Sequence, residues 1–193
     1  MEQKLSFALF AVDVESTGLD PERDRLLELS YALTRFEYPY EQMGGVSMGT
    51  YLVAGGFDHL KNANAFVQAM HEKNGLAAAL DPSNERTTKT SLATIESDLL
   101  RLSDGWPLEK EERVVIAGNS PHFDLGFLRV HLPAFAARLS YRTFDASGFY
   151  RFCLSLGMPP LPKPEEAHRA AEDVRRSLEL VRACGAWVLG RSR

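Results

Sequence analysis

The sequence predicts an α/β chain of the α+β kind, with strands gathered at the start and helices after them, and three observations predict it. The run LSFALFAV at 5–12 is apolar enough for a buried strand, and RVVIAGNS at 113–120 reads as another. VSMGTYLVA at 46–54 alternates as a half-buried antiparallel strand does. EAHRAAEDVRRSLELVRA has helical periodicity, with Val174, Leu178 and Val181 on one face beside Asp173.

The elements follow in order. A strand at 5–13 leads into a turn through Gly18, Asp20 and Pro21, and a second strand runs from about Leu26 to Phe36. Tyr38-Pro39 and Gly44-Gly45 mark the hairpin connection to the third strand at 46–54. Helices are expected at 62–79 and 90–103, then the buried strand at 113–118. Ser120 offers an N-cap and Pro121 the first helical position for a helix at 121–138, with Asp124 on its first turn. A short strand at 141–145, a helix at 147–156 and the long terminal helix complete the chain. No internal repeat is visible. The most linker-like stretches are Asp81–Thr90 and Gly157–Pro164, the latter with prolines at 159, 160, 162 and 164. Neither is a domain boundary, because candidate site residues lie on both sides of each, so residues 1–193 are expected to form one domain.

Composition narrows the class. With 193 residues and 45% hydrophobic content the chain can bury a substantial single core. A net charge of −4, with scattered basic residues apart from Arg169, Arg175 and Arg176, argues against a long duplex footprint, where counterion release dominates affinity. Cys153 and Cys184 form neither a metal spacing nor a disulfide framework, so a cytoplasmic location is expected. The first apolar run is interrupted by Asp13 and Glu15, which does not suit a signal peptide, and no stretch approaches the roughly eighteen apolar residues of a membrane span.

Five residues carry the chemistry: Asp13 and Glu15 in DVESTGL, Asp124 in AGNSPHFD, and His168 and Asp173 in HRAAED. Asp13 and Glu15 are two apart at the end of a strand, so both point to one face and can serve one metal cluster. A phosphodiester is an anion, and a carboxylate-lined pocket repels it unless divalent cations lie between. Carboxylate oxygens suit Mg²⁺ or Mn²⁺, and two such ions can stabilise the attacking and leaving oxygens of an in-line displacement. His168, with an ordinary imidazole pKa of about 6.5, can take the proton from the attacking water. On a continuous helix His168 and Asp173 would diverge by about 140°. His168 is therefore expected on the loop or first turn before the helix, as the most mobile of the five. Each feature also has a plainer explanation: a lone Asp-x-Glu at a strand end is commonly a surface or capping pair. Arg142 can be a solvated charge, Tyr141 a strand residue, and Phe66 an apolar position that the helix of NAFVQAMHEKNGLAAAL wants anyway.

These motifs, in this order, resemble those of the DEDDh (DnaQ-like) superfamily of 3′-to-5′ exonucleases, and within it the closer likeness is to oligoribonuclease. The likeness rests on TGLDPERDRLLEL, AGNSPHFDLGFLRVHLPAF, YRTFDAS and HRAAEDVRRSLEL, and covers nearly all of the chain except about 36–63 and 81–110. It implies a ribonuclease H-like fold with a mixed central sheet, three antiparallel strands and then parallel ones. It implies a metal-dependent exoribonuclease that degrades short oligoribonucleotides to 5′-mononucleotides, with Asp13, Glu15, Asp124 and Asp173 as ligands of two ions, Mg²⁺ or Mn²⁺, and His168 as general base. By the same resemblance Leu19 and Phe66 would pack against bases, His71 would bind substrate, and Ser120, Arg142 and Ser147 would cap the 5′ phosphate. Tyr141 would reach across a homodimer. The sequence departs from the family at Ser16, at Pro121-His122-Phe123 and over 40–58. Two other readings remain open: an exonuclease trimming or proofreading single-stranded DNA, and a catalytically idle nucleic-acid-binding module. The second does not need both the carboxylates and a base.

Overall fold

The computed structural model describes residues 6–37, 43–105, 113–162 and 169–191. Six strands form one sheet in the order β4-β3-β2-β1-β5-β6. β1 (Ser6–Ser16), β2 (Leu26–Glu37) and β3 (Met43–Val53) are successive antiparallel neighbours, while β5 (Val115–Gly118) runs parallel to β1 and β6 (Thr143–Asp145) parallel to β5. The mixed sheet expected from the sequence is the one observed. The strand β4 (Lys89–Thr90), parallel to β3, was not foreseen, since two residues carry no period to detect.

Alternation along β1 divides the core. Phe10 and Val12 face one side with Leu29, Tyr31 and Ile116, covered by α4 (Leu92–Asp104), α5 (His122–His131) and α6 (Pro133–Ala136). Leu9 and Ala11 face the other with Ala32 and Ala117, against Val174, Leu178 and Val181 of α8 (Ala170–Arg191). Three alanines on that side let the long helix approach the sheet closely. Every second residue of β1 therefore points toward α8, and continuing the alternation brings Asp13 and Glu15 to the same face. A separate cluster, with Leu27, Leu60, Val67, Leu76 and Leu80, packs α1 (Gly56–Lys61), α2 (Ala65–Lys73) and α3 (Leu76–Leu80) beside the sheet.

Several boundaries differ from the sequence reading. The single helix expected at 62–79 is two, α2 and α3: Asn64 caps α2 by accepting from the Val67 amide at 3.0 Å, and Gly75, at φ +79°, separates α2 from α3. The helix at 121–138 breaks before Pro133, which pushes Leu132 to φ −138°, ψ 57°. Ser120 is not the N-cap; it holds φ +57°, Pro121 occupies the cap without a side-chain hydrogen bond, and α5 begins at His122. Gly44 and Gly45 lie inside β3, where the pairing with β2 slips between Leu33 and Arg35, so these glycines serve a bulge and not the turn. Tyr38 and Pro39 lie outside the described residues. Tyr141 and Arg142 precede β6, and α7 spans Ala146–Ser155, close to its expected 147–156.

Candidate active site

β1 ends in an irregularity between Glu15 and Ser16, and the chain then closes a tight loop before β2. Thr17 and Arg25 exchange bonds across its neck, the Thr17 amide to the Arg25 carbonyl at 3.0 Å and the Arg25 amide to the Thr17 hydroxyl at 2.9 Å. Asp24 folds inward to accept from Thr17 Oγ1 and the Asp20 amide. A side chain at position 18 would overlap Asp24, which is why glycine stands there. This loop presents Leu19 with 83% of its surface exposed.

At the acidic end of β1, carboxylate oxygens of Asp13, Glu15 and Asp173 all lie within 4.8 Å of one another. Asp173 comes from the first turn of α8, where the helix passes over the alanine face. Asp124, on the first turn of α5, is 3% exposed and its Oδ1 accepts from the Val14 amide at 2.9 Å, which ties the helix start between Asp13 and Glu15. Segments separated by more than a hundred residues thus converge on one strand end. His168 lies outside the described residues, one position before Arg169 in the sequence.

The electrostatics are those of a site built to be neutralised. Burial first, then repulsion from Asp124, Asp173 and Glu15, pushes the Asp13 carboxyl up to about 9. Burial, then Glu28 and Asp173, raises Glu15 to about 8, with Arg169 opposing. Burial raises Asp124 to about 7 against the pull of its backbone hydrogen bonds. Carboxylates in this state favour either protons or hard cations. The donor set is all oxygen, close enough for shared coordination, and fits divalent ions.

The other candidates fall into three places. Leu19 and Phe66, the latter 77% exposed, line an open cleft of ≈ 720 Å³ together with Glu15, Asn62 and Met70. His71 is wholly buried behind the loop: its Nε2–H donates to the Ser16 carbonyl at 3.3 Å, leaving Nδ1 to accept from the Asn74 side-chain Nδ2 at 3.3 Å. Burial lowers its pKa, so the ring is neutral. Ser120 and Ser147 meet around Asp145, whose Oδ1 accepts from both their amides, from Ser147 Oγ at 2.7 Å and from the Gly148 amide. Tyr141, 75% exposed, stacks under the Arg142 guanidinium at 4.6 Å in a second cleft with Arg113 and Arg129.

Glu28 escaped the sequence reading. It pairs across from Glu15 in the β1–β2 register, has a 1% exposed side chain, and meets Arg169 at 2.7 and 3.1 Å. The available signal was a charge inside the apolar strand run LLELS, since a buried glutamate is rare unless paired.

Solved structures share this fold. Exonuclease I of E. coli, in complex with a 5cy-dT13 oligonucleotide, superposes with a TM-score of 0.63 over 93% of the chain at 16% identity. Exonuclease I of Methylocaldum szegediense gives 0.61 over 95% at 16% identity. The chain spans about two fifths of those proteins, 41% and 43%. Taken with the curated relatives that follow, fold and acidic site mark a 3′-to-5′ exonuclease of the DnaQ-like (DEDDh) class, a phosphodiester hydrolase. No protein-family model matches the chain. Among curated proteins, it is 31% identical over 173 residues to a probable oligoribonuclease of Dictyostelium discoideum, covering 87% of this chain and 83% of that one. It is 26% identical to the oligoribonuclease of Neisseria meningitidis (89% and 87% covered) and 27% to the mitochondrial oligoribonuclease of Mus musculus (87% and 68%). The chain belongs to the oligoribonuclease family. Among the described residues no helix is long and apolar enough to cross a membrane.

Proposed function

We propose that this chain removes 5′-mononucleotides from the 3′ ends of short oligoribonucleotides. The observation that carries this reading is the convergence of Asp13, Glu15 and Asp173 within 4.8 Å beside a cleft bearing exposed Leu19 and Phe66. In this reading Asp13, Glu15, Asp124 and Asp173 hold two ions, Mg²⁺ or Mn²⁺. Such ions supply Lewis-acid stabilisation of phosphoryl oxygens and acidify a water. The Val14 amide holds the Asp124 carboxylate in line beside Asp13 and Glu15. His168 accepts the proton of the attacking water. Leu19 and Phe66 give bases an apolar surface to stack on, and His71 holds the loop that carries Leu19. Ser120, Ser147 and Arg142 receive the 5′ phosphate, limiting substrate length. A second copy of the chain contributes Tyr141, whose exposed ring supports a homodimer, and residues 1–193 work as one domain. Two unbridged buried thiols, Cys153 and Cys184, support a reducing compartment such as the cytoplasm.

The test is length-resolved digestion of end-labelled RNA of two, five and twenty nucleotides with DNA counterparts, under Mg²⁺ and under Mn²⁺. Fastest turnover is expected on the shortest RNA. Equal or faster turnover of the twenty-mer would reject the short-substrate reading, and preference for DNA would favour the single-strand DNA exonuclease. Asp13→Ala should reduce turnover by at least about a thousandfold, the scale of a lost metal. An inactive wild-type chain that still bound RNA would leave only the idle binding module.

A further inference from the structure

We propose that Glu28 is a positioning residue for the metal site: its carboxylate and the Arg169 guanidinium form a single docking element that sets the start of α8 against β2, and so brings Asp173 to Asp13 and Glu15. This rests on the reading of those three carboxylates as metal ligands.

Glu28 lies directly opposite Glu15 in the antiparallel register, so both side chains leave the sheet on the α8 face. A fourth buried carboxylate beside three others is a costly choice unless it is fully satisfied. Here it is. Arg169 Nη2 donates to Glu28 Oε1 at 2.7 Å and Nε to Oε2 at 3.1 Å, a two-pronged match that lysine cannot make. The amide of Ala170, the first residue of α8, donates to the same Oε2 at 3.2 Å. One side chain therefore holds both the residue before the helix and the helix's first amide.

The helix geometry converts that hold into a ligand position. Asp173 lies three residues past Ala170, and its amide bonds to the Arg169 carbonyl at 3.2 Å, so one turn of α8 connects docking point to ligand. With an α-helical rise of about 1.5 Å per residue, a shift of the helix start moves Asp173 by a similar distance. A cation that needs three carboxylates together is sensitive to that displacement. Groups behind metal ligands commonly alter affinity or activity by about 10–100-fold.

The test is Mn²⁺ binding to the full chain, followed by electron paramagnetic resonance, with melting temperature and turnover recorded beside it. Glu28→Gln and Arg169→Lys are each expected to weaken Mn²⁺ binding about tenfold or more. The combined variant is expected to lose no more than the worse single change, because the two groups act as one. Unchanged Mn²⁺ affinity in a folded Glu28→Gln protein overturns the inference, as do losses that multiply in the combined variant. If Glu28→Gln fails to fold, Arg169→Lys decides alone, since Arg169 is the more exposed partner, and unchanged affinity there overturns it equally. A wild-type chain that binds no Mn²⁺, or an Asp13→Ala variant that binds it normally, overturns the metal-site reading itself.

Discussion

His71 acts through a carbonyl. Its ring has no exposed surface, and its bond to Ser16 supports the loop that carries Leu19 from behind. His71→Ala takes the ring's hydrogen bond away from that carbonyl, at a cost of about 1–3 kcal/mol for a buried group. Steady-state kinetics on a dinucleotide should show KM raised more than kcat is lowered, with a lower melting temperature. Leu19→Ser and Phe66→Ser should behave differently. Both side chains are largely exposed, so stability should hold, while the loss of base contact, about 1–3 kcal/mol per stacked base, raises KM roughly tenfold. A KM unchanged in both variants would remove the cleft from substrate binding. These differences are physical reasons why residue roles were only partly legible. Asp13, Glu15, Asp124 and Asp173 could be picked out because acidic groups punctuate apolar runs. The burial of His71 depended on how α2 folds back behind the β1–β2 loop, which no local pattern in MHEKNGL encodes.

At the level of elements, β5 is the piece that joins β6 to β1 and leads into α5. A Cβ at Gly118 would stand 2.8 Å from the Val12 carbonyl oxygen, on the strand that bears Asp13. Gly118→Ala must part β5 from β1 or distort one of them, at a cost of about 1–3 kcal/mol, read as a fall in melting temperature. Because α5 follows directly, the Asp124 bond to Val14 should weaken with it, and turnover should fall even where the protein stays folded. Of the long strands, β1 was visible in the sequence as a continuous apolar run and β3 through its alternation. The fragmented stretch from Gly56 to Leu80 was not, since three short helices separated by Asn64 and Gly75 share one apolar composition. Asn64 as a cap and Gly75 as a left-handed hinge were the cues that should have divided it.

For the molecule as a whole, the acidic site sets a pH dependence of stability with a definite sign. Asp13, Glu15 and Asp124 hold protons in the folded chain up to about 9, 8 and 7, whereas the same groups in the unfolded chain release theirs near 4. The folded state thus binds more protons between those limits, and stability falls as pH rises through that window. Thermal melts in chelator at pH 5, 7 and 9 should show a declining melting temperature. Added Mg²⁺ or Mn²⁺ should flatten the decline and release protons on binding. A metal-independent profile would separate these carboxylates from any ion. The ribonuclease H-like sheet and its three motif-bearing segments were legible because each motif lies at the end of a strand or the start of a helix. The ordering of the helix start by Glu28 was not, because it depends on a contact between residues 141 positions apart.

The Val14 amide gives this site its own spectroscopic handle. Its hydrogen is shared with Asp124, so its chemical shift should track the charge on that carboxylate, and its exchange with solvent deuterium should slow when the carboxylate is fixed from the far side. A single backbone resonance can then follow ion loading without substrate, product or label.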